Sequence, residues 1–153
     1  MMKIAVVAAN GKVAGKVITE AVNRGFEVTA FGRRENNTEA TNYIKKDLFD
    51  LTREDLKGFD AVVDAFGAWT EETLSKHNTS LQHLCDLLSN SSTRLLVVGG
   101  AGSLYINPEH TVQVFDTPDF PEVFKPVARA MASALVGFEH EDYILLMVPQ
   151  MIK

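Results

Sequence analysis

Residues 3–15 read KIAVVAANGKVAG, from Lys3 to Gly15. The first part, Lys3–Ala8, is a continuous apolar run too short for a helix, and it reads as a buried strand. Gly11 and Gly15 follow. From Lys16 to Asn23, the residues Val17, Ile18, Ala21 and Val22 fall on one helical face. Strand, glycine turn and helix in this order form the opening of a βαβ unit, the place where a phosphate-binding turn belongs. Set against the spacing G-x-x-G-x-x-G, this chain has Ala8, Gly11 and Ala14, so Gly11 alone is in register. The chemistry asks for a sharp backbone turn, amides that approach a pyrophosphate without an intervening side chain, and a helix start with its partial positive charge. Gly11 with Lys12 and Val13 meets the second need. Ala9 and Asn10 complete the turn: Asn10 is expected to tolerate a left-handed backbone, and Ala8 to require an ordinary φ. A tight strand–helix turn without a ligand is the competing reading.

Outward from this stretch, strands and helices alternate. Arg24-Gly25 ends the first helix, because glycine is favoured just past a helix end. Glu27–Phe31 is a second strand and Asn42–Lys46 a weak third, centred on Tyr43 and Ile44. Thr52 to Asp55 has near capping-box spacing and opens an expected short helix. Phe59–Phe66 is a fourth strand. Glu71–Leu88 is the longest helix, with Leu74, Leu81, Leu84, Cys85 and Leu88 facing inward, and Arg94–Val98 is a fifth strand. A long loop over 99–122 carries Pro108, Pro118 and Pro121. Loops of this length are usually functional or mobile, and Asp116–Phe124 within it reads as a lid or a protein contact. A helix from Glu122 to Gly137, with Pro126 in its first turn, precedes a sixth strand, Tyr143–Val148. Apolar throughout and spaced by helices, the strands imply a Rossmann-like, doubly wound α/β fold with a mostly parallel sheet covered on both faces.

The 153 residues fit one unit, residues 1–153. At 46% hydrophobic and 23% charged the composition is globular, not disordered. No apolar run reaches the roughly 18–20 residues of a membrane helix, so no membrane association is expected. A net charge of −5 argues against a nucleic-acid groove. The one cysteine, Cys85, excludes a disulfide framework, and its place on an apolar helix face reads as inert packing. Met1–Asn10 lacks a signal-peptide pattern, so a reducing, cytoplasmic setting is expected. His77 and His83 stand six apart, off a shared helical face, and no metal site is read.

The residue ending strand two faces the adenosine ribose in this fold; an acid there suits NAD, and arginine accommodates the 2′-phosphate of NADP. Here the strand runs into Gly32-Arg33-Arg34, and Glu35 comes only after both arginines. Charge-assisted bonds from Arg33 and Arg34 to a phosphomonoester favour NADP(H) over NAD(H), while a solvated arginine pair is the bland reading. Asp47 reads as an adenine-edge residue or as a turn residue.

With AANGKVAG, FGRR, KKDLFDLT and VVGGAGSLY, the sequence resembles the atypical short-chain dehydrogenase/reductases, specifically the NAD(P)H-binding group that includes NmrA-like proteins and flavin reductase-like enzymes. The resemblance covers essentially the whole chain. It implies a Rossmann fold, NADP(H), and reduction of a small planar acceptor of flavin or quinone type. It also implies a second possibility, a dinucleotide sensor without turnover. Gly11, Lys12 and Val13 match the phosphate turn, and Arg33 matches the 2′-phosphate site. Asp47 and Leu48 match the adenine side. Ala65, Phe66 and Gly67 match the segment along the cofactor, and Gly99 and Gly100 the nicotinamide end. Asn78 and Ser80 resemble helix residues of related reductases, and read equally well as surface polar residues. The superfamily's Tyr-x-x-x-Lys pair is absent: Tyr43, Tyr105 and Tyr143 are followed four residues on by Asp47, Glu109 and Met147. Ser103, Tyr105 and His110 are the remaining proton-donor candidates. Trp69 and Phe66 read as a ring-stacking pair or as a hydrophobic plug. The resemblance implies that family members continue for roughly another half-domain beyond the position of Val148, which leaves the substrate side thin: the chain is expected to be a fragment or shortened form, or to have its pocket completed by another subunit.

Overall fold

The computed structural model describes residues 1–137 and 143–148. Six strands, β1 (Lys3–Val7), β2 (Glu27–Gly32), β3 (Asn42–Lys45), β4 (Ala61–Asp64), β5 (Arg94–Gly100) and β6 (Tyr143–Val148), form one sheet in the order β3-β2-β1-β4-β5-β6. Every pairing is parallel, with Val6 opposite both Ala30 and Val63. The helices are α1 (Lys12–Asn23), α2 (Lys76–Leu88) and α3 (Lys125–Gly137). This is the Rossmann-like, doubly wound arrangement expected, and its strand order reverses between β1 and β4. Ligands in such sheets sit at that reversal, outside the carboxyl ends of the strands.

The alternation on β1 explains why its run is apolar throughout. Ile4 and Val6 face one side with Val28, Val63, Ala14, Ile18 and Ala21. Ala5 and Val7 face the other with Phe31, Val62, Leu84 and Leu95. Burying both faces removes any polar position from the strand. Ile18 is fully buried against the sheet, and truncating such a side chain to alanine costs about 2–5 kcal/mol.

Four helical expectations shift. The first helix begins at Lys12, ahead of Lys16, because Gly11 serves as its N-cap. The short helix at Thr52 does not form. The Asp55 carboxylate accepts from the Thr52 N–H at 2.8 Å and pairs with Lys46 Nζ at 2.7 Å, and the chain then turns at Gly58 with φ +82. Six residues gain too little to repay helix nucleation. The helix expected from Glu71 starts at Lys76, after a separate 3-10 turn at Glu71–Thr73. There the Thr73 hydroxyl donates to the Thr70 carbonyl at 3.0 Å, the local competition that keeps threonine at helix ends. Likewise a 3-10 turn, Glu122–Phe124, precedes α3 and leaves Pro126 in the first turn of the helix, where its missing N–H costs nothing.

Candidate functional site

The turn after β1 is sharper than expected, and its strain sits elsewhere. Ala8, not Asn10, takes the left-handed backbone, at φ 55. The chain leaves the sheet in one step there, with a conformation that glycine would adopt at no steric cost. Ala9 is fully buried, and its N–H donates to the Phe31 carbonyl at 2.9 Å, fastening the turn to β2. Gly11 is extended, with φ −81 and ψ 164, so its backbone does not call for glycine. A Cβ at Gly11 would meet only the Ala8 carbonyl at 3.9 Å, an ordinary contact. A side chain there would instead intrude on anything docking from outside. No side chain caps α1 and no acid stands in its first turn, and Lys12 and Val13 are exposed. Uncapped first-turn amides and the helix dipole together make an anion site.

The Asn10 side chain has a role that the sequence did not reveal. Its Nδ2 donates to Tyr43 Oη at 3.0 Å, to Asn37 Oδ1 at 3.0 Å and to the Glu35 carbonyl at 3.2 Å. Its Oδ1 accepts from the Arg34 N–H at 3.1 Å. Tyr43 closes the network by donating to the Arg34 carbonyl at 2.6 Å. Gly32 makes room for this hub: a Cβ there would collide with Asn10 Oδ1 and with the Tyr43 hydroxyl. The backbone of the arginine pair is therefore held by β1 and β3 jointly.

Arg33 is exposed, and its Nε lies 3.9 Å from Asp47 Oδ2, a loose pairing. Asp47 also accepts from the Phe49 N–H at 2.9 Å, so it shapes the turn, as one of its two readings has it. Leu48 is 4% exposed and packed in the core, so its side chain is closed to an adenine edge. The Arg34 guanidinium has no partner among the described residues.

Beyond the strand reversal, the carboxyl ends of β4 and β5 flank a recess. Its polar lining comes from Asp64, His77, Ser80, Gly99 and Gly100, with Phe66, Met131 and Ala134 as apolar wall. Asp64 is 4% exposed, and burial raises its carboxyl to about 6. One of its oxygens accepts from the Phe66 N–H at 2.9 Å, and this bond favours the charged form. Burial also lowers the pKa of His77, whose Nε2 lies 3.0 Å from the Ala68 carbonyl and 3.3 Å from the Ala68 N–H. Ala65 and Phe66 are half-buried and Gly67 exposed, so the segment runs from the recess to the surface. Gly99 and Gly100 lie inside β5, paired with Met147 and Val148, rather than past its end.

Several other residues fall differently from the sequence reading. Ser80 is fully buried, which excludes the surface reading, whereas Asn78 is exposed. Trp69 is 63% exposed and lies over Gly67, so it is not a plug. Ser103, Tyr105 and His110 belong to a hairpin-like loop closed by a bridge between Tyr105 and Gln113. Tyr105 stacks on His110 with ring centres 5.0 Å apart, and the Ser103 carbonyl accepts from Gln113 Nε2 at 2.9 Å. None of the three lines the recess. Gly102 pins this loop to α3, since a Cβ there would stand 2.9 Å from Ala128 Cβ. Among the described residues no three His, Cys, Asp or Glu side chains gather as metal ligands, and no helix is long and apolar enough to cross a membrane.

Comparison with known proteins agrees with this geometry. Residues 8–148 match the family described as NAD(P)H-binding. The uncharacterized protein YwnB of Bacillus subtilis is 41% identical over 147 residues, which are 94% of this chain and 68% of YwnB. A crystal structure from Streptococcus pneumoniae, provisionally named an NADH-flavin reductase, superposes with a TM-score of 0.90 at 51% identity, covering 97% of this chain and 71% of that one. A Burkholderia pseudomallei structure, provisionally named an exported protein, superposes with a TM-score of 0.80 at 32% identity, covering 97% and 72%.

Proposed function

Because the chain belongs to the NAD(P)H-binding family, we propose that it binds NADP(H) across the strand ends and serves as a reductase for a small planar acceptor of flavin or quinone type. The observation that carries this reading is the α1 N-terminus: uncapped, free of acids, and unobstructed at Gly11. The amides of Gly11, Lys12 and Val13 would hold the pyrophosphate. Arg33 and Arg34, presented by the Asn10 hub with no acid at the end of β2, would hold the 2′-phosphate. Asp47 would face the adenine, and Ala65–Gly67 would run along the ribose side. When bound, the dinucleotide supplies a hydride; such an acceptor's ring system stabilises the resulting charge itself, which fits a site without the Tyr-x-x-x-Lys pair. The chain's own contribution is binding and orientation.

Trp69 is the only tryptophan and lies over Gly67, so its fluorescence reports dinucleotide binding. NADPH is expected to bind about tenfold more tightly than NADH, and Arg33→Ala to erase the difference, as loss of one charge-assisted contact would. Equal affinities for the two in the parent chain would overturn the NADP assignment.

A second reading, a dinucleotide sensor without turnover, is favoured by the placement of Tyr105 and His110, which stack on each other away from the recess lining. Steady-state oxidation of NADPH with flavin and quinone acceptors separates the two. Tight binding with no turnover selects the sensor.

A further inference from the structure

The recess holds two buried titratable groups that the reading above does not use. Asp64 ends β4, and His77 is the second residue of α2. Both reach the backbone of one short segment. Asp64 accepts from the Phe66 N–H at 2.9 Å, and His77 Nε2 sits 3.0 Å from the Ala68 carbonyl. The Phe66 ring meets the His77 ring edge-on at 5.6 Å. The segment is therefore gripped at alternate residues, from the sheet and from α2. Its grip also borders a cavity of about 30 Å³, room for one or two waters. The second Asp64 oxygen has no protein partner among the described residues. The cavity's other lining residues, Ser80, Leu81 and Phe66 and those from β5 and α3, bring no further titratable or charged group. A carboxyl kept in an apolar pocket with one oxygen unmatched works against folding, and departures of this kind concentrate at functional sites.

We propose that Asp64 and His77 are positioning residues forming a protonation-sensitive clamp on Ala65–Ala68, and that the ionised clamp sets the affinity for the dinucleotide. This rests on the reading that the cofactor lies along Ala65–Gly67. An ionised carboxylate accepts the Phe66 N–H roughly twice as strongly as a neutral group. Protonating Asp64 thus loosens the segment. Burial disfavours a charge on His77, whose Nε2 contact with the Ala68 carbonyl holds the other end of the segment.

The test has two arms. In the unliganded chain, hydrogen exchange at the Phe66 amide is measured as a protection factor from pH 5 to pH 8. It should fall several-fold on acidification through about 6 in the parent. In Asp64→Asn it should remain at the low value throughout. In the second arm, NAD⁺ binding is followed by Trp69 fluorescence over the same pH range, because NAD⁺ lacks the 2′-phosphate that itself titrates near 6. Affinity should fall several-fold toward pH 5 in the parent, and should be weak and pH-independent in Asp64→Asn. A pH-independent Phe66 protection factor in the parent overturns the clamp, and so does NAD⁺ binding that Asp64→Asn leaves unchanged. A pH-dependent protection factor in a chain that binds neither NAD⁺ nor NADP⁺ upholds the clamp and overturns the cofactor reading. If Asp64→Asn does not fold, the parent's protection profile alone decides.

Discussion

The two halves of the strand-end crevice are built on opposite principles. On the β1–β2 side, nearly every polar group serves to shape the backbone. Asn10 alone joins the β1 turn, the arginine segment and Tyr43. The charges there, Lys12, Arg33 and Arg34, are exposed and cost little to hold. On the β4–β5 side, the polar groups are few and buried, and Asp64 is incompletely matched. The first half is pre-shaped by its hydrogen bonds, and on the proposed function it holds the phosphates. The second half stores an electrostatic cost beside the segment that the cofactor would touch. Binding and stability should therefore respond with the same sign on neither side, and substitutions can expose that.

The largest effect is expected at Asp64. Its folded pKa of about 6 lies above the ordinary carboxyl value of 3.8 that holds in the unfolded chain. Between these values the native state holds a proton that the unfolded state has released, so this group's contribution is full below 3.8 and is lost as pH rises through about 6. Asp64→Asn keeps the shape and the acceptor but cannot ionise. It should be more stable than the parent by up to about 3 kcal/mol at pH 8, with the gap closing by pH 4. Urea denaturation at the two pH values measures this, and a gap that does not change with pH would remove the contrast between the halves.

Gly11→Asp comes next. Aspartate is a better N-cap than glycine, so the helix should gain a few tenths of a kcal/mol. A negative charge placed where a pyrophosphate docks should cost dinucleotide affinity at least about 100-fold, near 2.7 kcal/mol. Melting and titration on the same sample check both signs. Should binding survive, the α1 N-terminus is not the phosphate site.

Asn10→Ala removes the hub. With each net hydrogen bond contributing about 1 kcal/mol and the network partly exposed, the loss should be about 1–2 kcal/mol. The 33–37 segment should also exchange its amides faster. The smallest effect is at Ala8, where φ is 55. Ala8→Gly should relieve the left-handed strain and stabilise by less than about 1 kcal/mol, because added freedom in the unfolded chain offsets part of the gain. A clear loss of stability would show that the Ala8 side chain contributes packing that outweighs its backbone strain.

These expectations differ in how far they could be read from residue order. The parallel sheet was legible because Ile4–Val7 and Leu95–Val98 are apolar at every position, a pattern that fits a sheet covered on both faces. Gly11 was legible because its neighbours on both sides announce strand and helix. The left-handed residue was misplaced, since alanine gives no local sign of φ above zero. Ser80 and His77 were missed as a buried pair because α2 is amphipathic only in its apolar positions, and a polar residue one turn from Leu81 and Leu84 looks like surface.

Sequence alone determined the alternation of strands and helices, the glycine turn after β1 and the place of the arginine pair, because each depends on residues within a few positions of one another. Tertiary structure decided that Asn10 would organise the arginines across β1, β2 and β3. It also decided that Asp64, His77, Ser80 and Gly99 would share one recess. Those meetings depend on strand order and on how α2 and α3 settle on the sheet, and local periodicity carries no information about either.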